Sequence, residues 1–216
     1  MKDRRRFLKT ALGIFAGTGI WLGPFFSFFR SLGAEERKII LPKGTKRESL
    51  AHRNPRNIDS RNLDITPLKD FQTMGRTEYP VDLGKWRLTV AGRVRNPLSL
   101  TYAQVQALPS MERKVLLICP GFFANHGIWR GIRMEELLGK AGAEKGVTHV
   151  TFLSPEGSSE RQEGFPMEEI EAGRVFLCYG VNGETLPEKN GFPLRVVAEG
   201  QYGSRWIKYV SRVKVG

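Results

Sequence analysis

A short apolar run that ends in a cysteine and a Pro-Gly break constrains the fold of this chain most. Val115–Ile118 has the length and composition of a buried strand, and Pro120-Gly121 ends it. Cys119 is therefore expected at the tip of a strand, where a sheet holds the thiol and the turn leaves room for a ligand. A thiolate there suits a soft metal. Taken alone, such a residue is more often a buried free thiol than a ligand or nucleophile.

Short strand patterns and turn signals alternate along residues 65–216. Trp86, Leu88 and Val90 alternate with polar residues, and further strand patterns cover 147–153, 174–179, 194–198 and 206–215. Helices are predicted from a capping box at Thr101-x-x-Gln104 to about Leu108, and over 134–140. Many short strands with few short helices predict an α+β domain built on mixed sheets.

The charge of the chain indicates a basic surface. The net charge is +12, and residues 35–216 keep 28 basic and 21 acidic side chains, a net of +7. Such a surface suits anionic ligands or an anionic membrane face. No basic helix or aromatic platform accompanies the charge, so we expect no nucleic-acid partner.

The two cysteines, Cys119 and Cys178, each lie inside or at the end of an apolar run. A domain of this size does not need a disulfide for stability, and disulfide frameworks are found mainly in small loop-rich domains. We therefore expect no disulfide between them. If this disulfide formed, Cys119 would be excluded as a metal ligand.

The N-terminus has the signature of twin-arginine export. Arg4-Arg5-Arg6 is followed by Phe7-Leu8-Lys9, and an uncharged stretch extends over 10–29. Roughly twenty such residues also suffice to span a bilayer, so residues 1–34 are predicted to be a twin-arginine signal or a membrane anchor that tethers the protein. Twin-arginine export carries folded proteins, which suits an enzyme that receives its cofactor first. The predicted location is the periplasm or the outer face of the cytoplasmic membrane.

Residues 35–64 are charged and are interrupted by Pro42, Gly44 and Pro55. This composition predicts an extended arm or linker with little core of its own. The folded domain is expected to cover 65–216.

Several motifs, in order, resemble the sulfite oxidase family of molybdopterin-dependent oxidoreductases, and in particular its periplasmic methionine sulfoxide reductase catalytic subunits. Cys119-Pro120-Gly121 and Trp129-x-Gly131 are similar to the segment that carries the molybdenum cysteine of the family. The downstream matches are Asn182–Pro187, Asn190–Arg195, Tyr202-Gly203 and Trp206–Lys208. The resemblance covers roughly Pro67 to Val215.

The resemblance implies a molybdopterin cofactor whose molybdenum is bound by the Cys119 thiolate. It also implies cofactor contacts from Ser154, Asn190, Arg195 and the segment Trp206, Ile207 and Lys208. Arg195 and Lys208 would supply charge to the terminal phosphate, although either cation alone also fits an exposed position on a strand.

His126 and Arg130 lie between Cys119 and Gly131, in a stretch that we interpret as a loop. Their proximity to the metal ligand in sequence makes them candidate catalytic residues that orient an anionic or sulfoxide-type substrate. Solvation in the loop is the alternative for His126.

Two departures from the family leave the substrate open. Lys69, Gln72 and Thr73 do not match the Asn and the Tyr-Glu pair of the reductase branch. Phe122 and Phe123 replace the Asn-Arg of the sulfite-oxidising branch. The resemblance thus specifies the cofactor better than the substrate.

These implications predict an exported oxidoreductase that carries out two-electron chemistry, typically oxygen-atom transfer, on a small sulfur or other oxo compound. We expect the catalytic domain alone, so electrons are exchanged with a separate carrier such as a membrane or c-type cytochrome. Two alternatives remain. One is a non-catalytic exported binding or interaction module with the same fold, and the other is a disulfide-stabilised envelope protein without a cofactor.

Overall fold

Two five-stranded sheets organise residues 38–156 and 162–216, the part of the chain that the computed structural model describes. In chain order the described strands are β1 (Ile39–Ile40), β2 (Ile58–Asp59), β3 (Leu88–Gly92), β4 (Leu98–Leu100), β5 (Ser110–Cys119), β6 (Phe123–Ile132), β7 (His149–Leu153), β8 (Gln162–Pro166), β9 (Val175–Val181), β10 (Glu184–Thr185), β11 (Arg195–Ala198) and β12 (Arg212–Val215).

The first sheet is antiparallel and has the order β10-β9-β6-β5, with β11 also paired to β9. The second sheet has the order β4-β3-β12-β7-β8, and its β3–β12 pair is parallel while the other pairs are antiparallel. Strands β1 and β2 form a separate parallel pair. The predicted α+β architecture with mixed sheets is confirmed.

The described α-helices are short: α1 (Tyr102–Gln106), α2 (Met134–Ala141) and α3 (Met167–Glu171). Helix α1 begins at the predicted capping box, in which the Thr101 hydroxyl accepts from the Gln104 N–H and the Gln104 side chain accepts from the Thr101 N–H. The 3-10 helices are Arg47–His52, Pro55–Asn57, Leu68–Asp70, Glu188–Asn190 and Gly203–Arg205.

The main hydrophobic core draws side chains from both sheets and from α2. Trp129 of β6, Leu177 of β9, Val90 of β3, Phe152 of β7 and Leu137 of α2 are all fully buried in it. Because the core joins both sheets, the strands that carry the site residues are held in a fixed arrangement.

Strands β5 and β6 form a long hairpin that extends the strand predicted around Val115–Ile118. Ten residues of each strand pair in register, from Ser110 with Ile132 to Cys119 with Phe123. The interpretation of 120–131 as a loop is therefore wrong from Phe123 onward. The pairing partner β5 supplies the backbone hydrogen bonds that make β6 a strand despite its polar residues.

The structure differs from expectation in residues 38–64, which were predicted to be an arm with little core of its own. This segment contributes buried apolar side chains to a second hydrophobic cluster on the β5–β6 hairpin, which contains Leu41, Leu50, Ile58, Leu63, Leu116, Ile118 and Ala124. The physical reason is that β5 and β6 are apolar on both faces, and the second face needs a cover. Residues 38–216 form one compact unit.

None of the helices within 38–156 and 162–216 is both long enough and apolar enough to cross a membrane. The signal or anchor predicted for residues 1–34 lies outside the described residues.

Candidate active site

Cys119 is the last residue of β5, directly before the turn at Pro120-Gly121. Gly121 adopts φ +79°, the left-handed conformation that glycine tolerates best. Side chains alternate between the faces of a strand, so Cys119 shares its face with Leu117 and with Phe123, its pairing partner on β6. The thiol lies at the tip of a strand, as the sequence predicted, and it is partly exposed there.

A cavity of about 230 Å³ opens at this tip and brings together four of the predicted site residues, namely Cys119, Arg195, Trp206 and Lys208. The remaining lining residues are Gln72, Thr73, Met74, Gly75, Leu117, Phe123, Gly203 and Ser204. A larger groove of about 480 Å³ beside Arg61 and Lys114 has no thiol in its lining. The chemistry of the lining, not the volume, therefore identifies the candidate site.

Arg195, the first residue of β11, is 4% exposed and stacks between two indole rings. Its guanidinium carbon lies 5.2 Å from the Trp129 ring centroid and 5.6 Å from that of Trp206. The guanidinium donates to the carbonyl of Asn190 at 2.9 Å and to that of Trp206 at 3.4 Å. Stacking and forked hydrogen bonds fix the direction of this buried cation, as arginine permits and lysine does not.

Lys208 is buried and its ammonium donates to two carbonyls of the loop opposite, those of Met74 at 3.0 Å and of Arg76. Ser154 donates its hydroxyl proton to the Lys208 carbonyl at 2.6 Å. Ser154 does not line the cavity, so the structure places it behind Lys208, where it positions that backbone. Ile207 is also buried outside the lining, and its carbonyl accepts from the Val196 N–H at 2.8 Å.

Asn190 is buried at the end of the 3-10 helix Glu188–Asn190, before Gly191 at φ +110°. Its side-chain oxygen is buried and has no hydrogen-bond partner among the described residues. A buried acceptor without a donor costs about 1–3 kcal/mol. Asn190 does not line the cavity, but its backbone carbonyl accepts from Arg195, which does.

Burial raises the pKa of the Cys119 thiol above its ordinary value of 9.0. The thiol therefore stays protonated at neutral pH in the protein without a metal, and a bound cation would favour the thiolate. The Sγ atom lies 3.8 Å from the Sδ of Met74. Within the described ranges, no cluster of three or more His, Cys, Asp or Glu side chains is placed to hold a metal ion.

The structure does not bring the candidate catalytic residues His126 and Arg130 into this cavity. Both occupy alternate positions of β6 that face away from the cavity, since His126 pairs with Leu116 on the second face of the hairpin. His126 is buried against the 38–66 segment, where its Nδ1 lies 3.3 Å from the Asp64 carbonyl oxygen. The Arg130 guanidinium lies 5.8 Å from the Tyr179 ring centroid. Residues close to Cys119 in sequence need not lie close to it in space, because successive side chains of a strand point to opposite faces of the sheet.

Residues 72–75 form one wall of the cavity, and sequence reasoning missed them. Gln72 is held by Asn125, whose side-chain amide accepts from the Gln72 N–H at 3.2 Å and donates to its carbonyl at 2.7 Å. The Thr73 hydroxyl donates to the Lys189 carbonyl at 3.0 Å. Gln72 and Thr73 were noted only as departures from the reductase branch of the family, so the sequence did not assign them to the site.

The two cysteines are both free thiols, and Cys178 is fully buried in β9, where its thiol donates to the Gly180 carbonyl at 3.0 Å. Burial raises the pKa of Cys178 to about 12. The structure therefore gives no support to the alternative of a disulfide-stabilised envelope protein.

Residues 75–216 match the oxidoreductase molybdopterin binding domain family. The chain belongs to this family. It is 31% identical over 157 residues to the uncharacterized oxidoreductase YuiH of Bacillus subtilis (strain 168), covering 71% of this chain and 78% of that protein. It is 30% identical to the protein-methionine-sulfoxide reductase catalytic subunit MsrP of Gluconobacter oxydans (strain 621H), covering 68% of this chain and 51% of that protein.

The sulfite oxidase of Arabidopsis thaliana is a more distant relative, 26% identical over 70% of this chain and 47% of that protein. The chain thus spans about half the length of the MsrP and sulfite oxidase relatives. The crystal structure of the sulfane dehydrogenase SoxCD from Paracoccus pantotrophus has the same fold, with a TM-score of 0.59 and 23% identity over 63% of this chain and 39% of that one.

These matches establish a molybdopterin-dependent oxidoreductase of the sulfite oxidase type, as the sequence predicted. The cavity fits such a cofactor on the observations above. It combines a partly exposed thiol for the metal with two buried cations for a phosphate.

Proposed function

We propose that this oxidoreductase transfers an oxygen atom to or from a small sulfur or other oxo compound outside the cytoplasm, and exchanges electrons with a separate carrier. One observation carries the proposal: the thiol of Cys119 opens on the same cavity as Arg195, Trp206 and Lys208. A thiolate at the end of a rigid strand suits a redox metal, and the cations suit an anionic cofactor.

Each residue has a defined role in this proposal. The Cys119 thiolate binds molybdenum, and the bound cofactor supplies a metal that exchanges two electrons with the substrate. Arg195 and Lys208 neutralise the anionic groups of the cofactor, while the Asn190 carbonyl holds the Arg195 guanidinium in place. Trp206 stacks on Arg195 and fixes its direction. Ser154 and Ile207 act from behind the cavity by holding the neighbouring backbone.

The entrance to the cavity favours a neutral organic substrate over a small inorganic anion. Met74 lines the cavity, is 48% exposed and has its Sδ 3.8 Å from the Cys119 Sγ, while Phe122, 69% exposed, follows Cys119 in the chain and lines a neighbouring groove. Exposed apolar side chains at an entrance favour a substrate with apolar groups next to the reacting atom. Together with the relative named as a methionine-sulfoxide reductase, this supports an organic sulfoxide as the substrate class.

The cavity lining contains no Asp, Glu or His side chain among its described residues. The two protons that a sulfoxide takes up when it is reduced to a sulfide and water would therefore come from solvent, and not from a carboxylate or an imidazole of the lining. His126 and Arg130 have no part in the proposal, because they face the other side of the hairpin.

Export and the electron carrier are supported by the twin-arginine signature and the basic surface. An acidic membrane or c-type cytochrome would dock by charge attraction, which salt screens. Turnover with an acidic cytochrome should fall several-fold as ionic strength rises, whereas turnover with a small neutral electron donor should not. A cytochrome-dependent rate that is indifferent to salt would exclude docking by charge.

The proposal is tested by molybdenum content, measured on the full chain expressed in a molybdopterin-competent host. The parent protein and Cys178→Ala should contain nearly stoichiometric metal and reduce an organic sulfoxide. Cys119→Ser should lose activity, and X-ray absorption should detect one sulfur ligand fewer at the metal. Cys178→Ala is the matched control because it removes the other thiol, which does not line the cavity.

Absence of molybdenum from the parent protein would instead support the non-catalytic exported module. Equal sulfur coordination in the parent and in Cys119→Ser would remove Cys119 from the metal site while leaving the cofactor in place.

A further inference from the structure

The β5–β6 hairpin has two faces, and only one of them borders the cofactor cavity. Leu117, Cys119 and Phe123 line the cavity, whereas Leu116 and Ile118 point to the opposite side. That side is covered by the segment 38–66, which the matched family region, residues 75–216, does not include. The cover of this side of the hairpin therefore comes from residues that precede the region matched by the family model.

The 3-10 helix Arg47–His52 contacts the turn that follows Cys119 through the backbone. The N–H of Gly121 donates to the carbonyl of Ala51 at 2.9 Å, and the N–H of Phe122 donates to the carbonyl of Cys119 at 3.0 Å. The turn is thus hydrogen-bonded both to the cysteine and to the helix. A shift of the helix would move the turn and, with it, the thiol.

Buried apolar contacts support the same connection. Leu50, in the middle of the helix, is 1% exposed and belongs to one cluster with Ile118, the residue before Cys119, and with Ala124 across the hairpin. Close packing of this kind transmits a displacement to neighbouring atoms instead of absorbing it. A displacement of Leu50 would therefore be transmitted to Ile118 on β5 and Ala124 on β6, the residues on either side of the turn that carries Cys119.

The segment is also tied to the hairpin and to the other wall of the cavity. Thr66 and His126 exchange two hydrogen bonds, since the Thr66 N–H donates to the His126 carbonyl at 2.8 Å and the His126 N–H donates to the Thr66 hydroxyl at 3.0 Å. Arg47 lies 3.9 Å from the carboxylate of Asp70, two residues before Gln72 of the lining. This exposed ion pair contributes little stability. It contacts the first residue of the helix, whereas the hydrogen bond from Gly121 reaches Ala51 near the last residue.

We propose that Leu50 and Ala51 are positioning residues of the active site. The helix Arg47–His52 holds the turn after Cys119 from behind and so sets the position and the exposure of the thiol. This inference rests on the proposed role of Cys119 as the metal ligand. It goes beyond that role by assigning a function to a segment that the sequence indicated to be a linker.

The test measures how fast the Cys119 thiol reacts with an aromatic disulfide reagent in the folded, cofactor-free full chain. A Cys178→Ala background ensures that Cys119 alone is labelled. Leu50→Ala should change the labelling rate several-fold, and the milder Leu50→Val should change it less but in the same direction. Leu50→Val also keeps the test valid if Leu50→Ala does not fold.

Leu137→Ala is the matched control, because Leu137 is equally buried but lies in α2 and in the main core. Its labelling rate should equal that of the parent. The inference is overturned if both Leu50 variants label at the parental rate, or if Leu137→Ala changes the rate as much as Leu50→Ala does. Either result would mean that the helix stabilises the fold without positioning the thiol.

A second measurement separates this inference from the proposed function. In molybdenum-loaded protein, Leu50→Val should shift the paramagnetic resonance spectrum of the metal, and Leu137→Val should not. If Cys119 is not the metal ligand, the spectrum will not respond to Cys119→Ser, whereas the labelling result on cofactor-free protein will still stand.

Discussion

The Sγ atom of Cys119 lies 3.8 Å from the Sδ atom of Met74, so a thioether covers the thiol at the mouth of the cavity. Met74 belongs to the loop opposite the hairpin. The Lys208 ammonium donates to two carbonyls of this loop, those of Met74 and Arg76. The access of a reagent or a substrate to Cys119 therefore depends on a side chain from the opposite wall.

Met74→Ala should accelerate labelling of Cys119 several-fold in cofactor-free protein. Truncation removes the covering side chain, admits water and lowers the pKa of the thiol towards its ordinary value of 9.0, because burial is what raises it. Labelling rates measured between pH 7 and pH 9 check both effects. Leu83→Ala, at an exposed apolar residue outside the lining, is the control, and equal rates for the two variants would contradict the prediction.

Lys208→Gln should loosen the loop that carries Met74. The ammonium of Lys208 donates to the carbonyls of Met74 and Arg76, and a shorter neutral amide cannot reproduce both bonds. Backbone amides of 73–79 should exchange hydrogen faster, as measured by mass spectrometry. The increase should be partial, because the Tyr209 hydroxyl still donates to the Arg76 carbonyl at 2.9 Å.

Lys214→Gln provides the comparison for this loop, since Lys214 is exposed on β12. Its exchange pattern in 73–79 should match that of the parent. Unchanged exchange in Lys208→Gln would show that other contacts hold the loop.

The position of Cys119 was predictable because a local signal encodes it: an apolar strand that meets Pro120-Gly121. The grouping of Arg195 and Lys208 with that thiol was accessible only through motif order, because residues far apart in sequence form the cavity. Periodicity missed β6, since Asn125, His126 and Gly127 interrupt its apolar pattern. These residues are ordered by pairing with β5, which is a tertiary effect.

The sequence did not predict the packing of residues 38–64, for a different reason. Leu41, Leu50, Ile58 and Leu63 are separated by charged residues and follow neither a helical nor a strand period. They become a cluster only when the segment folds over Ile118. The second apolar face of the hairpin implies that another segment covers it. This inference could not be made from the sequence, because β6 was not predicted.

Arg195→Lys should reduce the molybdopterin content of purified protein several-fold, although the charge is kept. A lysine cannot reproduce the stacking on Trp129 and Trp206 or the forked donation to two carbonyls. Arg195→Met should in addition lower the free energy of unfolding by about 1–3 kcal/mol, because the carbonyls of Asn190 and Trp206 lose a donor. Pterin content is measured by fluorescence after oxidation, and stability by urea unfolding.

The exposed Arg212 of β12 offers the matched control for this substitution. Arg212→Lys should keep the parental cofactor content. If Arg195→Lys also retains full content, the guanidinium geometry is not needed to bind the cofactor.

Acid should weaken the fold through His126, which is buried between β6 and the 38–66 segment. Burial lowers the pKa of His126 below its ordinary value of 6.5, the backbone carbonyls of Asp64 and Leu63 oppose this shift, and the charges of Lys114 and Asp64 act in opposite directions with smaller effect. Lys46, Arg47 and Glu48 are the other charged groups of the adjoining groove. The Nε2 atom is buried without a hydrogen-bond partner among the described residues, so an added proton there finds no acceptor.

The sign of the effect follows from which state binds the proton. Well above pH 6.5 the histidine is neutral in both states, and its contribution to the free energy of unfolding is complete. As the pH falls through 6.5 towards the lower pKa of the folded state, the unfolded chain takes up a proton that the folded chain does not. Stability is lost over that window at no more than about 1.4 kcal/mol per pH unit for this single proton.

Urea unfolding between pH 7.5 and pH 4.5 should therefore show a smaller acid-induced loss for His126→Gln than for the parent. His149→Gln, at an exposed histidine on β7, should keep the parental pH dependence. The same acid dependence in His126→Gln and in the parent would mean that carboxylates elsewhere account for the whole loss. A difference confined to pH below 6.5 would identify the contact between His126 and the 38–66 segment as the acid-sensitive part of the support behind Cys119.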